Sequence, residues 1–259
     1  LPILEANKVD YCSLNEGVMH ACGHDVHTSS LLGAARILNT LKEDFEGSVK
    51  LIFQPAEEKL PGGASLMIKA GALQNPTPES ILGQHVHPPL EAGKIGIRSG
   101  IYMASADEIY LTVKGKGGHG ALPNKCIDPI VISAHIITAL QTIVSRNANP
   151  NMPTVLTFGH INSEGGATNV IPNEVKLKGT VRTFDEKWRF EAHKKIEQIV
   201  NSVAEGFGGS CELDIRVGYP CLINEPNLTD WVTVKATEYL GAENVVELPL
   251  RTTAEDFAF

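Results

Sequence analysis

Eight residues near the amino terminus concentrate donor chemistry: His20-Ala21-Cys22-Gly23-His24-Asp25-Val26-His27. A thiolate and imidazoles this dense, just ahead of an apolar helical pattern, point to a bound transition metal and not to a core. A second segment, Gln54-Pro55-Ala56-Glu57-Glu58, follows the apolar run Val49 to Phe53 and supplies two adjacent carboxylates. Beside a metal, such a pair can divide its work, one carboxylate ligating and the other moving protons. Together the two segments indicate a metal-dependent hydrolase. Cys22 alone reads more readily as a buried free thiol; His24 two residues on, with carboxylates elsewhere, shifts the reading toward a ligand. A Glu-Glu pair is ordinarily a solvated acidic loop, but here a strand-like apolar run precedes it.

Two further loops carry imidazoles. In Gly83-Gln84-His85-Val86-His87-Pro88, His85 and His87 compete for a ligand position. In Gly115-Lys116-Gly117-Gly118-His119-Gly120, glycines surround His119 and permit close approach of backbone to a ligand. His20 and His27 could also ligate on chemistry alone. Arg182, in Gly179-Thr180-Val181-Arg182, offers a planar fork suited to a carboxylate and is equally readable as a solvated strand residue.

The elements that must position these groups fall into two textures. Residues 1 to about 100 read as α/β: a helix over about Thr28 to Leu41, a strand at Val49–Phe53, a short helix from Gly63 to Ala70, and a strand at Ser80–Gly83. In an open α/β sheet, ligands gather in loops at the carboxyl ends of strands, where these candidates lie. From about 104 to 218 the pattern changes to alternating strands and two capped helices. Ile109, Leu111 and Val113 alternate with polar residues, and Asp128-Pro129 opens a helix. Strands near Val155–Phe158 and Val175–Val181, a helix from Glu186 to Phe207, and a strand with Leu213, Ile215 and Val217 complete a β-α-β-β-α-β order. From about Leu222 the chain is expected to return to the first domain through a helix from Asn227 to Leu240.

A net charge of −8 argues against nucleic acid. No stretch approaches the roughly 18 uninterrupted apolar residues of a membrane span. Five scattered cysteines make no disulfide framework, which suits a reducing, cytoplasmic setting. With no initiator Met and an abrupt stop at Phe259, both ends read as cut.

The ordered set His20 to Asp25, Gln54 to Glu58, Gly118-His119 and Ala254-Glu255-Asp256-Phe257-Ala258 resembles the M20 metallopeptidase family along essentially the whole chain. It is most similar to the amidohydrolase branch: hippurate hydrolases, indole-acetyl-amino-acid hydrolases and N-acyl-amino-acid deacylases. The resemblance implies a zinc-peptidase-like open α/β catalytic domain (residues 1–103 and 219–259) with an inserted α+β ferredoxin-like lid (residues 104–218) that mediates homodimerisation. It implies two divalent transition-metal ions (zinc, manganese, cobalt or nickel) on Cys22, His24, Glu58 and His85, with Glu57 as general base. His119 would steady an oxyanion, and Asn169 and Arg182 would contact the substrate, a small N-acyl amino acid. His20 and His27 fall outside the ligand set and are expected to support the ligands from behind or to serve the fold, and His87 sits where the family varies, near the substrate or at the surface.

Two parts of the family pattern lie outside these residues: an Asp upstream of Leu1 and a last metal-binding His beyond Phe257. These residues by themselves are therefore expected to bind metal weakly or not at all. Alternatives are an aminopeptidase or dipeptidase of the same family, or a non-catalytic binding protein that kept the fold. A redox-sensing thiol protein built around Cys22 is weaker, because no partner Cys stands at CxxC spacing.

Overall fold

Five helices and ten mostly short strands form in this chain, described over residues 1–259 in a computed structural model. They group into two units: Leu1–Ile97 with Asp230–Glu247, and Arg98–Thr229 with Leu248–Phe259. The stretch expected as a lid, 104–218, lies inside the second unit, which also takes in residues on either side of it.

In the first unit, helix α1 (His24–Thr40) begins four residues earlier than its apolar periodicity suggests. Gly23, at φ 93°, turns the chain into it with no side-chain cap. Helix α2 (Gly63–Lys69) forms where expected. Strand β1 (Ile95–Ile97) pairs in parallel with β10 (Val245–Glu247), the one ladder of this unit. The strands expected at Val49–Phe53 and Ser80–Gly83 do not form. A strand exists only where a neighbour accepts its backbone hydrogen bonds, and these segments have no ladder partner. Val49, Leu51, Phe53, Ile81 and Leu82 are accordingly exposed. Lys50, within the same run, is tied down: its Nζ donates to the carbonyls of Ala72, Gln74 and Pro76 at 3.0, 2.7 and 2.8 Å.

The second unit follows the β-α-β-β-α-β order. After the short strands β2 (Gly100–Met103) and β4 (Gly118–His119) are set aside, its frame is β3 (Asp107–Lys114), α3 (Pro129–Thr142), β5 (Thr154–Ser163), β7 (Glu174–Thr183), α4 (Glu186–Gly206) and β8 (Ser210–Val217). The strands lie antiparallel in the order β5-β7-β3-β8, a ferredoxin-like sheet. The minor strands β6 (Val170–Ile171) and β9 (Leu222–Asn224) pair with β4 and β2. Helix α5 (Pro226–Leu240) follows β9.

One sheet face is dry because the strand period puts alternate residues together. Ile109, Leu111, Val113, Val175, Leu177 and Val181 pack against Ile132, Ile136 and Leu140 of α3 and Ala192, Ile196 and Val200 of α4. Each large side chain so buried contributes about 1.5–3 kcal/mol. The run Pro129–Asn147 is long and apolar enough to cross a membrane by length and composition. Its Ile132, Ile136, Leu140 and Ile143 are instead buried in this core. Asp128 accepts the amides of Ile130 and Val131, and Asp185 those of Lys187 and Trp188, capping both helices at about 1 kcal/mol each.

A polar knot locks α4 to β3. Asp107, fully buried, accepts from Arg189 Nε at 2.9 Å, the Gly218 amide at 2.9 Å and His193 Nε2 at 2.7 Å. Burial pushes its carboxyl up, but the bonds from Arg189, His193 and Gly218 outweigh that and hold it at about 2.

Candidate metal centre

The start of α1 brings sulfur and nitrogen donors to one point. Cys22 lies just outside the helix, His24 is its first residue, and His85 arrives from a distant loop. Their ligand atoms lie within 4.8 Å of one another, with Cys22 Sγ and His85 Nε2 at 3.3 Å. His85 Nδ1 is 2.7 Å from the Val86 carbonyl oxygen, which can only accept. Nδ1 therefore carries the proton, and the Nε2 lone pair faces the thiol, the tautomer a ligand needs.

His24 also belongs to a second group. Its ligand atom and those of Glu57 and Glu58 lie within 4.8 Å of one another, with His24 Nε2 and Glu57 Oε2 at 3.7 Å. One thiolate, two imidazoles and two carboxylates, with His24 common to both groups, fit a pair of borderline divalent ions.

The backbone bearing the carboxylates is constrained. Ala56 sits at φ 56°, left-handed geometry that disfavours a residue with a Cβ. Gly63, the buried first residue of α2, lies against this loop: a Cβ there would stand 1.6 Å from the Pro55 carbonyl oxygen. Gly23 plays a similar part for the other loop, since a Cβ on it would stand 2.3 Å from Val86 Cγ2.

The remaining histidines separate by their partners. His27 Nε2 accepts the Val86 amide at 2.9 Å, so that lone pair is taken. Burial, then the neighbouring His85 and His24, pull the His27 pKa down, in keeping with an acceptor. His20 is exposed, and neither His20 nor His87 joins either donor group.

In the second unit, strands β4 and β6 bring His119 and Asn169 together. His119 is in register with Val170, and the Gly120 amide donates to the Asn169 carbonyl at 2.7 Å. The Ala121 amide donates to His119 Nδ1 at 3.1 Å, which leaves the imidazole proton on Nε2 as a donor. The glycines around His119, expected to admit a ligand, press on the protein's own backbone. A Cβ on Gly115 would stand 2.2 Å from the Ile127 carbonyl oxygen, and one on Gly117 2.6 Å from that of Ile171.

Arg182 does not join them. It lies near the carboxyl end of β7, whereas His119 and Asn169 lie beyond the opposite end, where Lys114 faces Glu174. The stretch from Glu174 to Arg182 spans roughly 25 Å of strand. Arg182 is half-buried, its Nε donating to Thr180 Oγ1 at 3.3 Å. Burial pulls its pKa down against the pull of Asp107 upward, so it is not the fully solvated strand residue the sequence also allowed.

One titratable group stands out that carries no role in the sequence reading. Burial raises the Glu255 carboxyl to about 7, with Asp256 adding to the rise, while its Oε1 accepts the Phe257 amide at 3.4 Å. The signal available in the sequence was an acidic pair set among Ala254, Phe257 and Ala258.

The model of Peptidase family M20/M25/M40 matches residues 1–259. An N-acyl-L-amino acid amidohydrolase of Geobacillus stearothermophilus is 46% identical over 224 residues, which is 86% of this chain and 60% of that protein. An N-acetyl-L-cysteine deacetylase of Bacillus subtilis is 38% identical over 260 residues, 100% of this chain and 61% of its own. The crystal structure of the Bacillus subtilis YXEP protein, described as a dinuclear metal binding peptidase from the M20 family, superposes with a TM-score of 0.80 at 32% identity. It covers 100% of this chain and 65% of the YXEP chain. The chain thus spans less than two thirds of the length of these relatives. On the whole-length family match and these identities, the chain belongs to Peptidase family M20/M25/M40.

Proposed function

We propose that the protein hydrolyses the amide bond of N-acyl amino acids or similar small conjugates, using divalent transition-metal ions held by Cys22, His24, Glu58 and His85. The observation that carries the reading is the pair of donor groups sharing His24. Divalent ions bound there would polarise the scissile carbonyl and lower the pKa of water toward about 7.

The chain's own residues supply the rest. Glu57, beside His24, takes the proton from water and returns it to the leaving nitrogen. His119, with its proton on Nε2, donates to the carbonyl oxygen as negative charge develops there. The Arg182 guanidinium and the Asn169 amide hold the substrate's free carboxylate.

The protein acts as a homodimer in this reading. His119 and Asn169 stand together, too far from Arg182 in one copy to grip one small substrate with it, and a second copy supplies both. A reducing, cytoplasmic setting suits the five free cysteines and the thiolate donor.

Glu57→Gln in the intact protein is expected to abolish turnover of an N-acyl amino acid while metal content stays near that of wild type. Surviving activity would refute the base assignment. A peptide substrate is the second reading, favoured by the peptidase description of the YXEP protein. A panel of acyl-amino acids against dipeptides separates the two.

A further inference from the structure

We propose that His27 is a positioning residue that sets the metal ligand His85 by accepting the amide hydrogen of Val86. The inference rests on the metal-site reading above and assigns a role to a side chain that the mechanism does not use.

The geometry begins with α1. His24 and His27 are three residues apart in this helix, so their side chains share a face, and their ring centroids are 5.5 Å apart. From that face His27 reaches a loop fifty-nine positions away in sequence. Its Nε2 accepts the Val86 amide at 2.9 Å, and its ring meets the His85 ring edge-on at a centroid distance of 4.3 Å. Val86 is held a second time by its side chain. It occupies the space where a Cβ on Gly23 would stand, 2.3 Å from Val86 Cγ2.

Val86 matters because its own carbonyl, in the next peptide group, receives Nδ1–H of His85 at 2.7 Å. One residue therefore fixes both the path of the loop and the tautomer of the ligand, and one helix face secures both. His24 projects from α1 directly, and His85 is fixed through His27 and Val86. Without the acceptor on His27, the Val86 amide would be left half-buried and unmatched, and the loop would swing to satisfy it. Partners of this kind, one step removed from the metal, typically govern affinity by about 10- to 100-fold.

The test uses Co²⁺ binding by the intact protein in competition with a chelator, read by the thiolate-to-cobalt absorption of Cys22 and by the d–d bands, without substrate. His27→Phe keeps a ring and removes the acceptor; it is expected to weaken Co²⁺ binding by about 10- to 100-fold. His27→Gln places an amide oxygen where Nε2 was and is expected to bind Co²⁺ nearly as wild type does. Wild-type affinity in His27→Phe overturns the proposal, as does an equal loss in both variants, which would make His27 a ligand or a packing residue. Should His27→Phe fail to fold, His27→Gln decides, a tenfold loss overturning the assignment and retained affinity supporting it. Cys22→Ser separates the two layers. If wild type shows no thiolate–cobalt band for Cys22→Ser to remove, the metal site itself is wrong and the proposal falls with it. If the band is present and lost in Cys22→Ser while His27→Phe binds normally, only the positioning role falls.

Discussion

Mixing two inactive variants should restore activity. His119 lies beyond the amino end of β7 and Arg182 near its carboxyl end, separated by roughly 25 Å of strand in one ferredoxin-like sheet. An N-acyl amino acid, about two residues long, spans only about 7 Å when extended. The sheet between them is braced by the buried core and by the Asp107–Arg189 pair, so no bend brings the two ends onto one small molecule. If both residues act on the substrate, they come from different copies. His119→Ala and Arg182→Ala should each abolish turnover. In a mixed dimer one site receives Arg182 from the first copy and His119 from the second, and is intact; the other site lacks both.

Random reassortment makes half of the dimers mixed, with one working site of two, so an equimolar mixture should recover about a quarter of wild-type activity. The assay is unfolding and co-refolding of the two variants, or co-expression with different tags, followed by initial rates on an N-acyl amino acid. Recovery should rise and fall with the mixed fraction isolated by tandem affinity. An inactive mixture with a proven mixed dimer would refute the trans arrangement. Substantial activity in either single variant would refute the role assigned to that residue.

Other perturbations test the scaffold. Gly63→Ala puts a Cβ 1.6 Å from the Pro55 carbonyl oxygen, both on backbone that cannot swing aside as a side chain would. Displacing the loop by about 1 Å should cost about 100-fold in kcat and about 1–3 kcal/mol of stability; wild-type kcat in a folded variant would sink the steric argument. Asp107 is held at about 2 against a usual 3.8. A depressed carboxyl adds stability above its unfolded pKa and loses it as pH falls through the folded one, here from about pH 4 to about 2. The loss should be about 2 kcal/mol by denaturant unfolding, and Asp107→Asn should be less stable at neutral pH with most of that pH dependence gone.

The ferredoxin-like unit was legible because its signals are local. Alternation through Ile109, Leu111 and Val113 places one face of a strand wherever the neighbours lie, and Asp128 and Asp185 cap their helices with amides two and three residues away. Val49–Phe53 and Ser80–Gly83 misled because a buried strand is defined by its pairing, which no local composition encodes. The same division runs through the candidate site. Donor types at Cys22, His24, Glu57 and Glu58 can be read one by one, but not which of His85 and His87 turns an unprotonated nitrogen toward Cys22. That follows from the Val86 carbonyl that His85 faces.

Residues whose work is done across sequence distance are those whose part residue type alone does not show. Gly23 and Gly63 each stand where a loop crosses a helix start, and each acts by lacking a Cβ, a property visible only once Val86 or Pro55 is placed against it. His27 has the composition of a ligand, but its Nε2 is spent on a backbone amide. A metal centre assembled from separate loops needs such constraints more than one built on a single helix, because each loop brings its own freedom and small errors in donor placement add. In the proposed site α1 would carry one ligand and set another through Val86, while Gly63 at the start of α2 lies against the carboxylate loop. The two helix starts, more than the short β1–β10 ladder, are therefore what hold these donors in register.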